Sequence, residues 1–255
     1  MGLRRLIKNN IYKKKFYISE NKTLPKKINN QRILITGANS GIGLALTKKF
    51  LDFNNTVIAT FNKNNENLLK LKNDNLEICQ CDQGDIKNIE KLKEYIKKVP
   101  VNIIVNNAGV WGGINQNFNN IDYENFLKAI NINAISILRL SEIVLKHSSE
   151  ISLDTIINIS TLYSSTDHNT TGRNYIYKGT KNMMNSFSKN LSIDLKNDYG
   201  VNVLTICPGS VKTKLNPSGI LDPETVALNI INILENSSDK YNGKFIDLKG
   251  NYLNW

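Results

Sequence analysis

The chain has no apolar run of about 18 residues, so no membrane-spanning helix is expected. It has only three cysteines in 255 residues, Cys79, Cys81 and Cys207. They cannot all pair with one another and lack metal-ligand spacing, so no bound metal is expected and a reducing compartment fits. Cys79 and Cys81 fall on one face of a strand, where core packing is the simpler role. Histidine is scarcer still, with two residues. His147 lies near a helix end and suits its dipole, while His168 sits in a long loop and reads as exposed rather than catalytic. No internal repeat is visible, and the Asn/Lys richness of the loops is compositional bias rather than a binding tract.

Acidic residues are missing from the chain before Glu20. Residues 1–30 carry nine Lys/Arg against that one glutamate, which places +8 of the net +11 in a short leader. The remainder holds 24 basic and 21 acidic residues, so the body needs no nucleic-acid-binding face. Serine is sparse in the leader and no cleavage signal stands out, which argues against a transit peptide. A cytoplasmic location is expected, with organelle targeting by the leader as the alternative. The start M-G-L-R-R-L has no Ser or Thr at residue 6, against myristoylation. Residues 1–30 therefore read as a disordered basic arm. Residues 31–255 read as one α/β domain with a buried sheet, in keeping with a hydrophobic content of 40%.

Strands and helices alternate from Gln31 onward. Short apolar runs predict strands over Arg32–Thr36, Thr56–Thr60, Leu76–Cys81, Asn102–Asn106, Thr155–Ser160, Val201–Cys207 and Lys244–Leu248. Helices are expected over Gly41–Leu51, Glu66–Lys72, Ile86–Lys98, Tyr123–Lys146, a segment carrying Tyr177 and ending near Tyr199, and Pro223–Glu235. Ile42, Leu46 and Phe50 share one face of the first. Right-handed crossovers turn this succession into a doubly wound, Rossmann-like parallel sheet of about seven strands.

Between the first strand and helix lies T-G-A-N-S-G-I-G, Thr36 to Gly43. Gly37 permits a tight turn, Gly41 lets backbone approach a pyrophosphate, and Gly43 lets helix and strand pack closely. The helix N-terminus offers free N–H groups and a positive dipole end to phosphates. Tyr177 and Lys181 stand four residues apart in Y-I-Y-K-G-T-K, one helical turn from each other. Downstream of a phosphate-cradling loop, that pair is a candidate proton donor with an ammonium beside it.

T-G-A-N-S-G-I-G, N-N-A-G at Asn106–Gly109, Y-K-G-T-K at Tyr177–Lys181 and P-G-S-V-K-T at Pro208–Thr213 together resemble the short-chain dehydrogenases/reductases, in that family's order. The long segment from Ser160 to Lys181 and the ending G-K-F-I-D-L-K-G-N-Y-L-N-W are similar to its C-factor and sniffer-type carbonyl reductase branch. The resemblance covers about residue 31 to Trp255 and implies an NAD(P)-binding domain that moves hydride between nicotinamide and a carbonyl or alcohol. It implies Tyr177 as general acid/base and Lys181 as the ammonium that lowers the tyrosine's ordinary pKa of about 10. The matching lysine of the family also holds the nicotinamide ribose.

The family places a hydroxyl beside that tyrosine, commonly a serine thirteen residues earlier, which would be Ser164. Aligning the strand ending I-I-N-I-S-T selects Thr161 instead, and Thr161 is favoured, with Ser160 and Ser164 as alternatives. Asn133 matches the asparagine whose helix carries a water to the lysine; a shifted register would select Asn131. The resemblance further implies cofactor contacts from Gly37, Asn39, Ser40, Gly41, Ile42, Gly43, Asp82, Asn107, Ala108, Gly109, Tyr177, Lys181, Pro208, Gly209, Val211 and Thr213. Asp82 is the candidate for the adenine amino group.

No carboxylate follows the second strand, where Thr60-Phe61-Asn62-Lys63 stand. NADP is therefore expected, with NAD as the alternative. Trp111, Tyr163, Tyr175 and Lys214–Asp222 are candidate pocket walls for a small apolar or aromatic carbonyl substrate. Neither nucleic acid nor membrane is an expected partner. Homo-oligomerisation through the two long helices is what the family suggests. A catalytically weak signalling or scaffold protein of the same fold is the alternative to the enzyme.

Overall fold

The computed structural model describes residues 28–97, 99–148, 152–237 and 239–255. The expectation of a disordered basic arm over residues 1–30 falls, for residues 1–27, outside them. Residues 28–30 are tied to the body: Asn55 Nδ2 donates to the Ile28 carbonyl at 3.0 Å, and Asn30 N–H donates to Asn54 O at 3.2 Å.

In chain order the elements are β1 (Arg32–Ile35), α1 (Gly41–Asp52), β2 (Thr56–Phe61), α2 (Glu66–Leu69), β3 (Leu76–Gln80), α3 (Ile86–Glu90) and α4 (Lys93–Ile96). There follow β4 (Ile103–Asn106), β5 (Gln116–Asn117), β6 (Asn120–Ile121), α5 (Tyr123–Ile130), α6 (Ser136–His147), β7 (Thr155–Ile159), α7 (Tyr175–Tyr199), β8 (Asn202–Cys207), α8 (Pro223–Ser237) and β9 (Phe245–Asp247). Seven strands form one sheet in the order β3-β2-β1-β4-β7-β8-β9, every neighbouring pair parallel.

The sheet is buried on both faces, which is why its strands read as continuous apolar runs. Alternate side chains go to opposite sides. Ile33 and Ile35 of β1 pack with Leu46 and Phe50 of α1 and Val226 and Ile230 of α8. Leu34 packs with Ile89, Ile96, Leu140 and Val144 on the other side. The strand order reverses between β1 and β4, so their carboxyl ends splay their loops apart and open a crevice. The expected doubly wound parallel sheet is thus the observed fold. Cys79, Cys81 and Cys207 are free and buried, and among the described residues no helix is long and apolar enough to cross a membrane.

Three expected helices differ from those found. Glu66–Lys72 is a single turn, Glu66–Leu69, and the backbone turns left-handed at Lys72 with φ +43°. Ile86–Lys98 divides into α3 and α4. Tyr123–Lys146 is interrupted by a π-helical turn at Asn131–Ile135, which separates α5 from α6. Such turns concentrate at functional sites. The β5–β6 hairpin, turning at Asn119 with φ +69°, is an element that no periodicity announced.

Candidate active site

The glycine turn sits at the carboxyl end of β1 and is clamped from β4. Thr36 Oγ1 accepts the N–H groups of Asn107 at 3.0 Å and Ala108 at 2.9 Å. Asn107 Nδ2 returns bonds to the carbonyls of Thr36 at 2.9 Å and Gly37 at 3.2 Å. Gly37 has φ +62°, and a Cβ on Gly43 would lie 2.4 Å from the Gly37 carbonyl oxygen, so helix and turn meet backbone to backbone. Ser40 is the N-cap of α1 but makes no side-chain cap bond, and the first turn holds no acidic residue. The helix end is therefore left electropositive with N–H groups to offer an anion. Ile42 is buried in the core, so its side chain faces away from any ligand and only its backbone can contribute.

From the other side comes the segment after β8. Pro208 is buried, Gly209 takes φ +75°, and Val211 packs into the core. Thr213 reaches the glycine turn: a Cβ on Gly41 would stand 2.9 Å from its methyl group. A cleft of about 650 Å³ lies here, lined by Ser40, Gly41, Lys48, Asn67, Thr213 and Lys214 among others. Asn67 Nδ2 also donates to the Asn39 carbonyl at 3.2 Å.

At the ends of β2 and β3, Asp82 accepts from Asn62 Nδ2 at 3.1 Å and from the Gly84 N–H at 2.8 Å. Asp82 is half-buried rather than a free turn residue. Asn62 and Lys63 are exposed where β2 ends.

The candidate catalytic side chains converge from β7, the π turn and α7. Thr161 follows β7 and caps a short 3-10 turn, Leu162–Ser164, by accepting from the Tyr163 N–H at 3.3 Å. Its side chain faces the Tyr177 phenol and favours the phenol's ionised form. Ser164 faces elsewhere: buried, it accepts from Asn185 Nδ2 at 2.7 Å and donates to the Thr161 carbonyl at 2.6 Å. Ser160 Oγ donates to Asn185 Oδ1 at 2.6 Å. Of the three hydroxyls weighed, that of Thr161 acts on the Tyr177 phenol, while the two serines fasten α7 to the strand end.

Lys181 Nζ donates to the Ile159 carbonyl at 2.8 Å, and burial pushes its pKa down to about 8. Asn133 is 1% exposed. Its Oδ1 accepts from the Val110 N–H at 2.8 Å, and its Nδ2 donates to Val110 O and Thr180 Oγ1, both at 2.9 Å. The π turn thus aims Asn133 at the N-N-A-G segment and at α7, whereas Asn131 bonds along its own helix to Leu127 O. A Cβ on Gly109 would lie 3.3 Å from Asn133 Oδ1 and 3.6 Å from Lys181 Nζ, so Gly109 is where the two side chains meet the β4 loop.

The Tyr177 phenol corrects one expectation. Burial pushes its pKa well above the ordinary tyrosine range, Cys207 and Tyr163 add to the rise, and the Thr161 hydroxyl works against it. Lys181 is not among the groups that set the shift; its ammonium donates to the Ile159 carbonyl at the end of β7. Tyr177 is held as the neutral phenol, the form that donates a proton.

Gln116 and Lys178 escaped notice in the sequence. Gln116 Oε1 accepts from the Tyr177 N–H at 3.0 Å. Lys178 Nζ binds Asn169 Oδ1 at 2.6 Å and Thr171 Oγ1 at 3.2 Å, and it lies 5.6 Å from the centre of the Tyr163 ring. Gln116 stands in no recurrent pattern that would have flagged it, and Lys178 lies within Y-K-G-T-K without a role assigned to it. Trp111 stacks on Tyr177 with ring centres 4.5 Å apart. Tyr163 and Tyr175 are both nearly half exposed. His168 is bonded to Ser165 Oγ at 2.9 Å, within its own loop.

A crevice at the β1/β4 switch point, rimmed by a glycine turn and a Tyr/Lys helix, defines a Rossmann-like oxidoreductase. The family model for short chain dehydrogenase matches residues 31–221, and the chain belongs to that family. It is 32% identical over 187 residues to the NADP-dependent 3-hydroxy acid dehydrogenase YdfG of Escherichia coli K12, covering 70% of this chain and 72% of that protein. The C-signal of Myxococcus xanthus is 27% identical over 157 residues, 61% of this chain and 93% of that one. Among solved structures, the carbonyl reductase Sniffer of D. melanogaster superposes with a TM-score of 0.79 at 26% identity, covering 89% of this chain and all of its own. The expected likeness to the C-factor and sniffer-type branch is borne out.

Proposed function

We propose that this chain is an NADP-dependent carbonyl reductase or alcohol dehydrogenase in which Tyr177 exchanges the proton. The observation that carries this reading is the convergence of the Thr161 hydroxyl on the Tyr177 phenol, with Lys181 and Asn133 meeting the β4 loop beside them at Gly109. Two hydroxyls converging there can both address one carbonyl oxygen. In reduction, Tyr177 Oη gives its proton to that oxygen while Thr161 Oγ1 donates a second hydrogen bond to it. In the reverse direction Tyr177 takes the proton back from the alcohol. Lys181, whose pKa burial pushes down to about 8, anchors α7 to the end of β7 through the Ile159 carbonyl. Asn133 holds the π turn, the β4 loop and Thr180 together around it.

The glycine turn fits a dinucleotide: its uncapped helix end suits a pyrophosphate, and substitution at Gly37, Gly41 or Gly43 meets strain or a close contact. Gly37 to Gly43 and Thr213 would hold the phosphates, Asp82 the adenine, and Lys181 the ribose. When bound, the nicotinamide supplies or accepts the hydride. NADP is preferred over NAD because β2 ends in Phe61, Asn62 and Lys63, with an exposed cation and no carboxylate to repel a 2′-phosphate. The name of the YdfG relative supports the same choice. The substrate is a small carbonyl compound with an apolar or aromatic flank, met by Trp111, Tyr163 and Tyr175.

The test is a Tyr177→Phe variant assayed by NADPH oxidation against aldehydes, ketones and quinones. It is expected to lose about 100-fold or more in kcat, the range of one general acid–base group at about 10²–10⁴, while binding NADPH more tightly than NADH, as is expected of the parent too. Undiminished turnover would return the C-signal likeness to the front, as a cofactor-binding signalling protein of the same fold.

A further inference from the structure

The segment between β4 and α5 has little regular structure, yet one buried side chain pins it. Gln116 is 1% exposed. Its Nε2 donates to the carbonyls of Trp111 at 2.9 Å and Gly113 at 2.7 Å, and its Oε1 accepts from the Tyr177 N–H at 3.0 Å. Both amide donors are spent on the loop and the acceptor on the first turn of α7. The Tyr177 N–H is one of the first-turn groups that have no partner inside their own helix. Gly112 fixes the same approach from the backbone. It takes φ +91°, and a Cβ there would come within 2.3 Å of Ile176 Cγ2, so the loop runs directly against the residue preceding Tyr177. The outcome is the Trp111 indole lying against the Tyr177 ring at 4.5 Å and 31°.

We propose that Gln116 is a positioning residue for proton transfer: it locks the Trp111 loop onto the first turn of α7, so that Trp111 holds the Tyr177 ring in one orientation. The inference rests on Tyr177 being the proton donor. Gln116 reaches neither the Tyr177 hydroxyl nor the crevice; it acts through the Trp111 backbone and the Tyr177 amide. Trp111 becomes a fixed apolar wall beside the phenol, and a flat carbonyl substrate slides along it. The amide is required because only Gln carries two donors and an acceptor on a stem of this length.

The full chain carrying Trp255→Phe makes Trp111 its sole tryptophan, and in that background Gln116→Met and Gln116→Glu are compared with Gln116. Methionine keeps the volume and drops all three hydrogen bonds. It is expected to shift Trp111 emission to the red and lower kcat on the order of tenfold to a hundredfold, the scale of an ångström-sized misplacement. NADPH affinity should stay within about twofold. Glutamate keeps the acceptor but sets a carboxylate against two carbonyls. Protonation restores one donor, and burial raises the pH at which this happens. The kcat of Gln116→Glu relative to the parent should therefore climb as the pH is lowered from 8 to 6.

A purely structural role would not give that pH-dependent recovery. A parent-like kcat in Gln116→Met, or a flat pH ratio in Gln116→Glu, overturns the proposal. If Tyr177→Phe keeps full turnover while Gln116→Met still shifts the emission, the contact stands and the assignment of Tyr177 is what fails.

Discussion

Thr161 and Ser164 both end in hydroxyls three residues apart, and their neighbours give them different work. Thr161 faces the Tyr177 phenol, whereas Ser164 is surrounded by Asn185 and the Thr161 carbonyl. Thr161→Ala is expected to lower kcat about 100-fold and to leave thermal unfolding near that of the parent. Ser164→Ala should show the opposite pattern: a loss of about 1–3 kcal/mol in stability from unpaired buried partners and a kcat within a few-fold of the parent. Chemical denaturation and steady-state kinetics on the two variants decide it, and equal kcat losses would return Ser164 to the site. Counting back from the tyrosine could not separate these hydroxyls, because loop length is free to vary while the strand end is not. Lys181 adds a pH effect of known sign. Its folded pKa of about 8 lies below the ordinary lysine value of about 10.4, so the unfolded chain binds more protons between those values. The burial penalty is complete below about pH 8 and is relieved as the pH rises toward 10.4. Relative to a Lys181→Met variant, the parent should gain on the order of 3 kcal/mol across that window. Urea denaturation at pH 7 and pH 10 measures it, and a constant difference would contradict the buried lysine.

The glycine turn was legible as an element because its requirements are local: a strand that is buried on both faces, a left-handed position, and a helix start. Gly43 shows how little room remains. A Cβ there lies 2.4 Å from the Gly37 carbonyl oxygen and 2.5 Å from Asn107 Nδ2, and the first of these is backbone. Gly43→Ala is therefore expected to cost about 1–3 kcal/mol in overpacking and to weaken NADPH binding more than tenfold by pushing α1 off the turn. Isothermal titration and a thermal melt report the two effects, and a parent-like affinity would mean that α1 shifts freely. The π turn was illegible for the converse reason. Tyr123 to Lys146 carries helical apolar spacing throughout, and the extra residue at Asn131–Ile135 is imposed by Asn133 bonding to Val110 and Thr180 on other elements. The β5–β6 hairpin hid similarly: its four strand residues lack alternation, and Gln116 is held by contacts to Trp111, Gly113 and Tyr177.

For the whole molecule, strand and helix alternation sufficed to give the doubly wound sheet, but not how distant parts of the chain meet. The last residues return to the active-site loop. The Trp255 carbonyl accepts from the Thr166 N–H at 3.1 Å and from the Ser165 and Thr166 hydroxyls at 3.2 Å each, while its ring stacks on Phe245 at 5.6 Å. The stack fixes the carbonyl, and the carbonyl fixes the start of the loop. Lys178 fixes the other end by binding Asn169, Thr171 and the Gly172 carbonyl. Between the anchors the backbone holds three successive left-handed residues, Gly172, Arg173 and Asn174, a conformation that costs about 1–3 kcal/mol at each non-glycine position and needs surrounding restraint to persist. Removing the ring in Trp255→Ala should therefore release the loop rather than unfold the sheet, with a stability loss of about 1–2 kcal/mol for a half-buried aromatic. Trypsin is expected to cut after the exposed Arg173 several-fold faster than in the parent. KM for the carbonyl substrate should rise with NADPH affinity unchanged, because the glycine turn lies on the far side of the switch point from this loop. Equal cleavage rates in the two proteins would mean that Lys178 alone holds the loop, and the matching variant Lys178→Met should then produce the whole effect.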